Sequence, residues 1–529
     1  MGKGAKLGMM AVLMGFIGLL FFAALAREGE APIAHLSPSE LEAACLAAPE
    51  PLKLNHGADY LRIQGEPAPY DAASNTYYIP CSSNEGGSIP DLSWSNGNQK
   101  ASLGVELPSL DLSAAQREGT PFALLITQGE RSTLCNLVLT GLPAVSVDIE
   151  SDTETFGPYS KVIAKTLVFD PEGENGYTVT ACESKLSYRG ASSRYFNKKS
   201  YNLKLYNPKD ERGYSLLGLR QDNEWILKSM FTDPDRIREK LALDLWNDMA
   251  AENPNNTPCA DFAYTEVFLD GAYLGLYGLM TPVDPVDYGF EEGKDVLFKA
   301  VSFDLLQGDP SHEERIDLGN NGIVFPTRWS ENLWDGMLWY ARHFYRGEAA
   351  EEGDLLAHLN RSNFVDYALF YSLISARDNN FSNTWYLTRF DETGDFAVEK
   401  IPWDLDMTFG NMWSGGWPDM TAFYPETIRE VDLPHDTKVL LQAGGTEADD
   451  ALRRRYWELR QDLFSEEYLI GLVEESVALL NGSGAISREQ ARWPEMTVYD
   501  DGADVRRHIA AHLAYLDERM AGEDPLYQN

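Results

Sequence analysis

The chain has 529 residues, 44% hydrophobic and 12% aromatic, enough for a sizeable core and against general disorder. That length predicts about two to four domains, or one large domain with additions. Lys and Arg number 44 against 82 Asp and Glu, a net charge of −38, so the surface repels nucleic acid and anionic lipid. A nucleotide would need a locally basic pocket and a divalent cation.

Leu7 to Ala26 is an uncharged, mostly apolar stretch, preceded by Lys3 and Lys6 and followed by Arg27-Glu28-Gly29-Glu30. It reads as a signal peptide or a single membrane anchor. Ala24-Leu25-Ala26 fits a cleavage site, while the length of the span favours retention. The flanking charges predict that the rest of the chain lies outside the cytoplasm and meets the membrane only through this segment. Cys45, Cys81, Cys135, Cys182 and Cys259 form no CxxC pair, which argues against structural zinc. In an exported chain Cys45–Cys81 is the nearest candidate disulfide, and the odd count leaves at least one thiol unpaired.

Residues 27–141 are rich in Pro, Gly, Ser and Asn, with short apolar runs such as Tyr77-Tyr78-Ile79, and read as a β-rich accessory module without recognisable chemistry. Val145, Val147 and Ile149 alternate as a half-buried strand does. Further strands are expected over Lys161–Phe169, Cys182–Arg189, Ser200–Tyr206 and Glu224–Lys228. Thr232 or Asp233 can cap a helix with Pro234 in its first turn, and Ile237, Leu241, Leu245 and Met249 then recur every four residues. Tyr264–Leu269 and Tyr273–Leu279 flank Asp270-Gly271, a hairpin signal. Beyond about residue 330 the pattern turns helical, with an apolar stripe of Phe364, Tyr367, Ala368, Tyr371 and Ile374. Asn383–Phe390 and Phe396–Ile401 read as a strand pair, and Ala448 to Met520 as charged helix. No internal repeat is present.

Arg377-Asp378-Asn379-Asn380-Phe381-Ser382-Asn383 and Ile401-Pro402-Trp403-Asp404-Leu405-Asp406 carry the chemistry. An Asp, an Asn five residues on, and a downstream acidic cluster is the grammar of the catalytic and metal loops of protein kinases. One carboxylate orients an attacking hydroxyl, while an amide and a carboxylate hold metal on phosphates. Each signal is common alone, and an Asp at a helix end is usually a cap. The order of the parts is more specific. A hairpin of Cys182–Arg189 and Ser200–Tyr206 can cover a nucleotide. Lys228 follows on a later strand, with Lys204 as its rival for the phosphates, and Glu239 lies on the next helix to orient the lysine. There is no GxGxxG loop, so side chains must replace backbone amides. In an extended segment Asp404 and Asp406 share a face and reach one metal; the alternative is that one of them caps the turn before Phe409-Gly410. The eight histidines form no metal pair and no Ser-His-Asp array.

Arg189-Gly190-Ala191-Ser192-Ser193-Arg194, Lys198-Lys199-Ser200-Tyr201, Phe268-Leu269-Asp270-Gly271-Ala272-Tyr273-Leu274-Gly275-Leu276-Tyr277, Asp378…Asn383 and Trp403-Asp404-Leu405-Asp406…Phe409-Gly410 together resemble the spore coat protein H (CotH) kinase family. The resemblance covers residues 142–480 and leaves 481–529 as a helical extension. It implies an α+β, atypical bilobal protein-kinase-like fold, with a β-rich N-lobe and a helical C-lobe. It implies transfer of the ATP γ-phosphate, with Mg²⁺ or Mn²⁺, to Ser or Thr of a secreted or surface protein. Carried over by position, Asp378 orients the acceptor hydroxyl, Asn383 and Asp404 or Asp406 bind metal, and Arg189 and Ser192 lie over the phosphates. Where the family has an acidic residue after Tyr277-Gly278-Leu279, this chain has Met280-Thr281-Pro282. Two other readings stand beside the kinase: a non-catalytic surface binding or adhesion module on the same fold, and an AMP transferase.

Overall fold

A computed structural model describes residues 29–82, 89–105, 110–150, 156–174, 176–190, 192–285, 288–300, 322–326, 333–415, 421–429, 433–444 and 446–527. The apolar stretch of residues 7–26 lies outside them. No single helix among the described residues is long and apolar enough to cross a membrane. The fold is mixed α+β, and the described residues form a 10-stranded sheet, a closed barrel and a four-stranded sheet with a separate two-stranded ribbon.

The first system is a 10-stranded sheet assembled from strands between Ala31 and Thr140. Its ladder buries Tyr77, Ile79, Trp94, Leu124 and Leu139 in one core. Tyr78 packs across to the next system, 5.1 Å from the rings of both Phe268 and Tyr273. The thiol of Cys81 is buried and turned onto the Ile79 carbonyl, while Cys45 sits half-buried on the helix Pro38–Ala47. All five cysteines are free thiols, so the candidate Cys45–Cys81 bond is not formed.

The second system is a closed barrel of β1 (Ala144–Ile149), β2 (Lys161–Asp170), β3 (Thr178–Tyr188), β4 (Tyr201–Tyr206), β5 (Glu224–Lys228), β6 (Phe262–Leu269) and β7 (Ala272–Met280). Neighbours are antiparallel except where β1 and β6 pair in parallel and close the ring. Alternation drives it: in β4, Tyr201, Leu203 and Leu205 point inward to meet Val145, Leu186, Trp225 and Leu227. The helix after β5, α1 (Arg238–Glu252), begins later than Pro234. Met230 and Arg236 adopt left-handed backbone angles (φ 51 and 62), which bars a continuous helix, and the Asp233 carboxylate accepts from Arg238 N at 2.8 Å instead.

The third system is a four-stranded sheet of β8 (Asp295–Ala300), β9 (Gly322–Phe325), β10 (Thr384–Phe390) and β11 (Phe396–Pro402), followed by the ribbon β12 (Asn411–Trp413) and β13 (Thr421–Phe423). Helix α2 (Arg361–Ile374) packs on β11, α3 (Glu466–Gly482) packs on α5 (Ala503–Ala521), which in turn meets α2, and α4 (Ala485–Arg492) lies against β7 of the barrel. One continuous hydrophobic core joins α1 to this half, with Trp246 of α1 edge-on to Tyr367 and Phe370 of α2 at 5.9 and 5.2 Å. The shared core fixes β5 and α1 relative to the loops after α2 and β11, where the predicted chemistry lies.

Candidate active site

A cleft of about 740 Å³ opens where the end of β5, the β3–β4 turn and the loops after α2 and β11 converge. Lys228, the last residue of β5, carries its ammonium into the cleft. Its Nζ lies 3.1 Å from Glu239 Oε2 and 3.6 Å from Asp406 Oδ2, and it donates to Asp404 Oδ1. Glu239, in the first turn of α1, also accepts from Leu405 N at 3.0 Å. Oxygens of Glu239, Asp404 and Asp406 lie within 4.8 Å of one another. An all-oxygen, anionic donor set suits Mg²⁺ or Mn²⁺ rather than a thiolate-seeking metal.

Asp404 and Asp406 converge, but not by strand alternation. The segment after Pro402 has left β11, and Asp404 sits at φ 60. Leu405 is fully buried between the two carboxylates, and its amide is tied to Glu239. Thr232 Oγ1 donates to Asp406 Oδ2 at 2.5 Å, and Asn411 Nδ2 donates to the Asp406 and Thr232 carbonyls at 2.9 and 3.0 Å.

Asp378 lies in a single 3₁₀ turn, Arg377–Asn379, just past the left-handed end of α2 at Ser375 (φ 54). Asn383 Nδ2 donates to Asp378 Oδ2 at 2.7 Å, which leaves the Asn383 amide oxygen as the atom a metal would take. Asn379 Nδ2 donates to the Asn383 carbonyl at 2.8 Å and the Trp403 carbonyl at 2.6 Å, stapling the two loops together.

The charges are strongly coupled. Burial raises Asp378 above the usual carboxylate range, and Asp404 and Asp406 add to the effect. Burial raises Glu239 to about 7, against the opposing pull of Lys228. Burial also raises Asp406. Enclosure acts on Asp404 in the same direction, but the Lys228 ammonium outweighs it and holds Asp404 low. Burial works against the charge of Lys228 too, yet Asp404, Asp406 and Glu239 together keep it well above its ordinary value. The result is a fixed cation ringed by acids, a preorganised electrostatic site.

Arg189 lines the roof of the cleft, donates to Asn202 Oδ1 at 2.9 Å and lies 5.3 Å over the Trp403 ring. Gly190 next to it has φ +92, and a Cβ there would stand 1.8 Å from Ser193 Oγ, so the tight roof turn requires glycine. Ser192 starts the short turn Ser192–Tyr195; its side chain is outside the described atoms. Lys204 is not brought to the cleft. It stands opposite Glu224 in the β4–β5 ladder and pairs with it on an exposed face at 2.7 Å. Of the two rival lysines, Lys228 is the one beside the acids.

Lys299 and Thr232 of the cleft, and Asn379 buried behind it, received no site role from the sequence. Lys299 of β8 lies 5.4 Å over the Trp385 ring, and Thr232 holds Asp406. Neither a lone lysine in an apolar strand nor a threonine in a turn carries a signal of its own. Asn379 did carry one, as half of an Asn doublet inside a catalytic-type loop. Arg189, Arg194, Lys228, Lys299 and Arg377 line the cleft against Asp378, Asp404 and Asp406. This is the locally basic pocket that a polyanion needs in a chain of net charge −38.

A family model described as CotH kinase protein matches residues 186–521. Inner spore coat protein H of Bacillus subtilis (strain 168) is 27% identical to the chain over 231 residues, 42% of this chain. The match spans 58% of the length of that relative.

Proposed function

Because this chain belongs to the CotH kinase family, its match to the family model running over residues 186–521, we propose that it is a metal-dependent protein kinase transferring the ATP γ-phosphoryl group to Ser or Thr of a secreted or surface protein. In this reading the barrel and the helical half act as the N-lobe and C-lobe of a kinase-like fold. The observation that carries it is one cleft holding the Lys228–Glu239 pair, the Asp404/Asp406 carboxylates and the Asp378–Asn383 pair. Phosphoryl transfer asks a protein mostly for positioning and charge stabilisation, which these groups supply.

Asn383, Asp404 and Asp406 would hold Mg²⁺ or Mn²⁺, which when bound offsets the charge of the phosphates. Lys228, braced by Glu239, binds phosphate oxygens, and Arg189 closes over them from the roof. Asp378 orients the acceptor hydroxyl and takes its proton as the hydroxyl oxygen bonds to phosphorus and ADP departs. The raised affinity of Asp378 for a proton suits that task. The apolar N-terminal stretch and the spore coat relative support a site of action outside the cytoplasm.

The test is incubation of residues 27–529 with a surface-protein fraction, Mn²⁺, and either γ-labelled or α-labelled ATP. Label from the γ position alone is expected. Label from the α position would assign AMP transfer. No label from either, in a protein that still binds its surface partners, would make it a binding module.

A further inference from the structure

Helix α4 lies against β7, more than 200 residues away in sequence, and several polar contacts join the two. Arg492 Nε donates to the Tyr273 carbonyl at 2.6 Å, Trp493 Nε1 to the Leu274 carbonyl at 2.9 Å, and Leu276 N to Glu489 Oε2 at 2.9 Å. Arg488 grips Glu266 on the neighbouring strand with two bonds of 2.8 Å. The β6–β7 ladder shifts register between Val267 and Phe268, opposite Leu274, and Gly275 adopts φ +100. A Cβ on Gly275 would stand 2.2 Å from Glu489 Oε2. The bulge and the glycine therefore open the barrel wall to a single carboxylate.

That carboxylate holds two cations. Glu489 Oε1 accepts from Lys198 Nζ at 2.6 Å and from Arg236 Nε at 3.2 Å, and all three side chains are 0% exposed. The two cations belong to the segments that frame the cleft. Lys198 ends the roof turn and lies two residues before Ser200. Ser200 Oγ meets Ser229 Oγ and Ser229 N, both at 3.0 Å, and Ser229 follows Lys228. Arg236 lies between Thr232, which holds Asp406, and Glu239, which pairs with Lys228. No other described acid pairs with Lys198 or Arg236.

We propose that Glu489 is a positioning residue of the nucleotide site: from the C-terminal helices it ties the roof turn to the segment bearing Lys228 and Glu239. It is fully buried and does not line the cleft. Its effect on nucleotide rests on the function proposed above, whereas its effect on the two segments does not. A buried ion triad contributes little net stability against an apolar replacement, which suits a role in register rather than in stability.

The test uses the full chain and the variants Glu489→Gln and Lys198→Met. Glu489→Gln strands two buried cations and threatens folding, whereas Lys198→Met leaves Glu489 paired with Arg236. Amide hydrogen exchange of ligand-free protein is read over residues 193–200 and 228–239, beside the melting temperature and the KM and kcat for ATP. We expect Lys198→Met to melt near the wild type while exchange in 193–200 accelerates about tenfold or more. KM for ATP should rise about tenfold with kcat changed less. Where it folds, Glu489→Gln should accelerate both segments. A lowered melting temperature with wild-type exchange in both segments overturns the proposal and leaves a plain core ion cluster. If the wild type turns over no ATP, the proposed function falls, and the exchange data alone decide the role of Glu489.

Discussion

Asp378 accepts from a side-chain amide, that of Asn383, rather than from a helix N-terminal N–H, so a capping role does not account for it. Asp378→Ala should melt normally and lose about 10²–10⁴-fold in phosphoryl transfer, the usual contribution of a positioned acid–base group. A cap would instead lose about 1 kcal/mol of stability and leave turnover near normal. Differential scanning calorimetry and labelled-ATP assays on one preparation separate the two. Asp404 and Asp406 make a second pair of tests. Both touch Lys228, and Asp406 is also held by Thr232. Asp404→Asn and Asp406→Asn should each weaken the Mn²⁺-dependent part of ATP binding in titration calorimetry. Unchanged Mn²⁺ dependence in both variants would reduce the cluster to a structural role.

Helix α5 backs the same loops. His508 is fully buried, its ring edge-on to Phe409 at 5.9 Å, and Phe409 N donates to the Ile374 carbonyl at 2.6 Å. His512 faces the Ser372 and Ile428 carbonyls at 2.9 and 2.8 Å. Burial holds His508 well below its ordinary value, and the neighbouring His512 adds to this. The unfolded chain takes up that proton near pH 6.5, and the folded chain resists it. The contribution of His508 is therefore complete above about pH 6.5 and is lost as the pH falls. Urea midpoints measured from about pH 7.5 down to about pH 5.5 should drop more steeply in the wild type than in His508→Gln. Parallel slopes would show that His508 is not the group responsible. At this scale β4 was legible from alternation alone. The start of α1 was not, because left-handed residues and the Asp233–Arg238 contact override a good capping sequence.

For the whole molecule, the N-terminal pattern of Lys3, Lys6 and an apolar stretch carries the proposal that the body acts outside the cytoplasm. Protease added to intact cells, or to cells stripped of any outer layer, should digest everything beyond Arg27. Full protection with the membrane still sealed would defeat that placement. In a chain of net charge −38, the cleft gathers five basic side chains against three acids. If the proposed function holds, such a cleft in an acidic chain would draw nucleotide to the site.

The grouping of candidate residues that lie close in the chain was readable without coordinates. Asp378 and Asn383 are five residues apart, and Asp404 and Asp406 flank one apolar residue, so spacing alone marked them. Val145, Val147 and Ile149, and the Asp270-Gly271 turn, likewise encode their strands locally. The choice of Lys228 over Lys204 was not local. Both are strand lysines, and a period of two assigns each a face without saying which face closes on the acids. That depended on pairing Lys228 with Asp404, 176 residues on. Closure of the barrel by β1 on β6, the hold of Thr232 on Asp406 and the reach of Glu489 through Gly275 are of the same kind. Each is a contact between segments far apart in sequence, decided by packing of the whole core rather than by any window of residues.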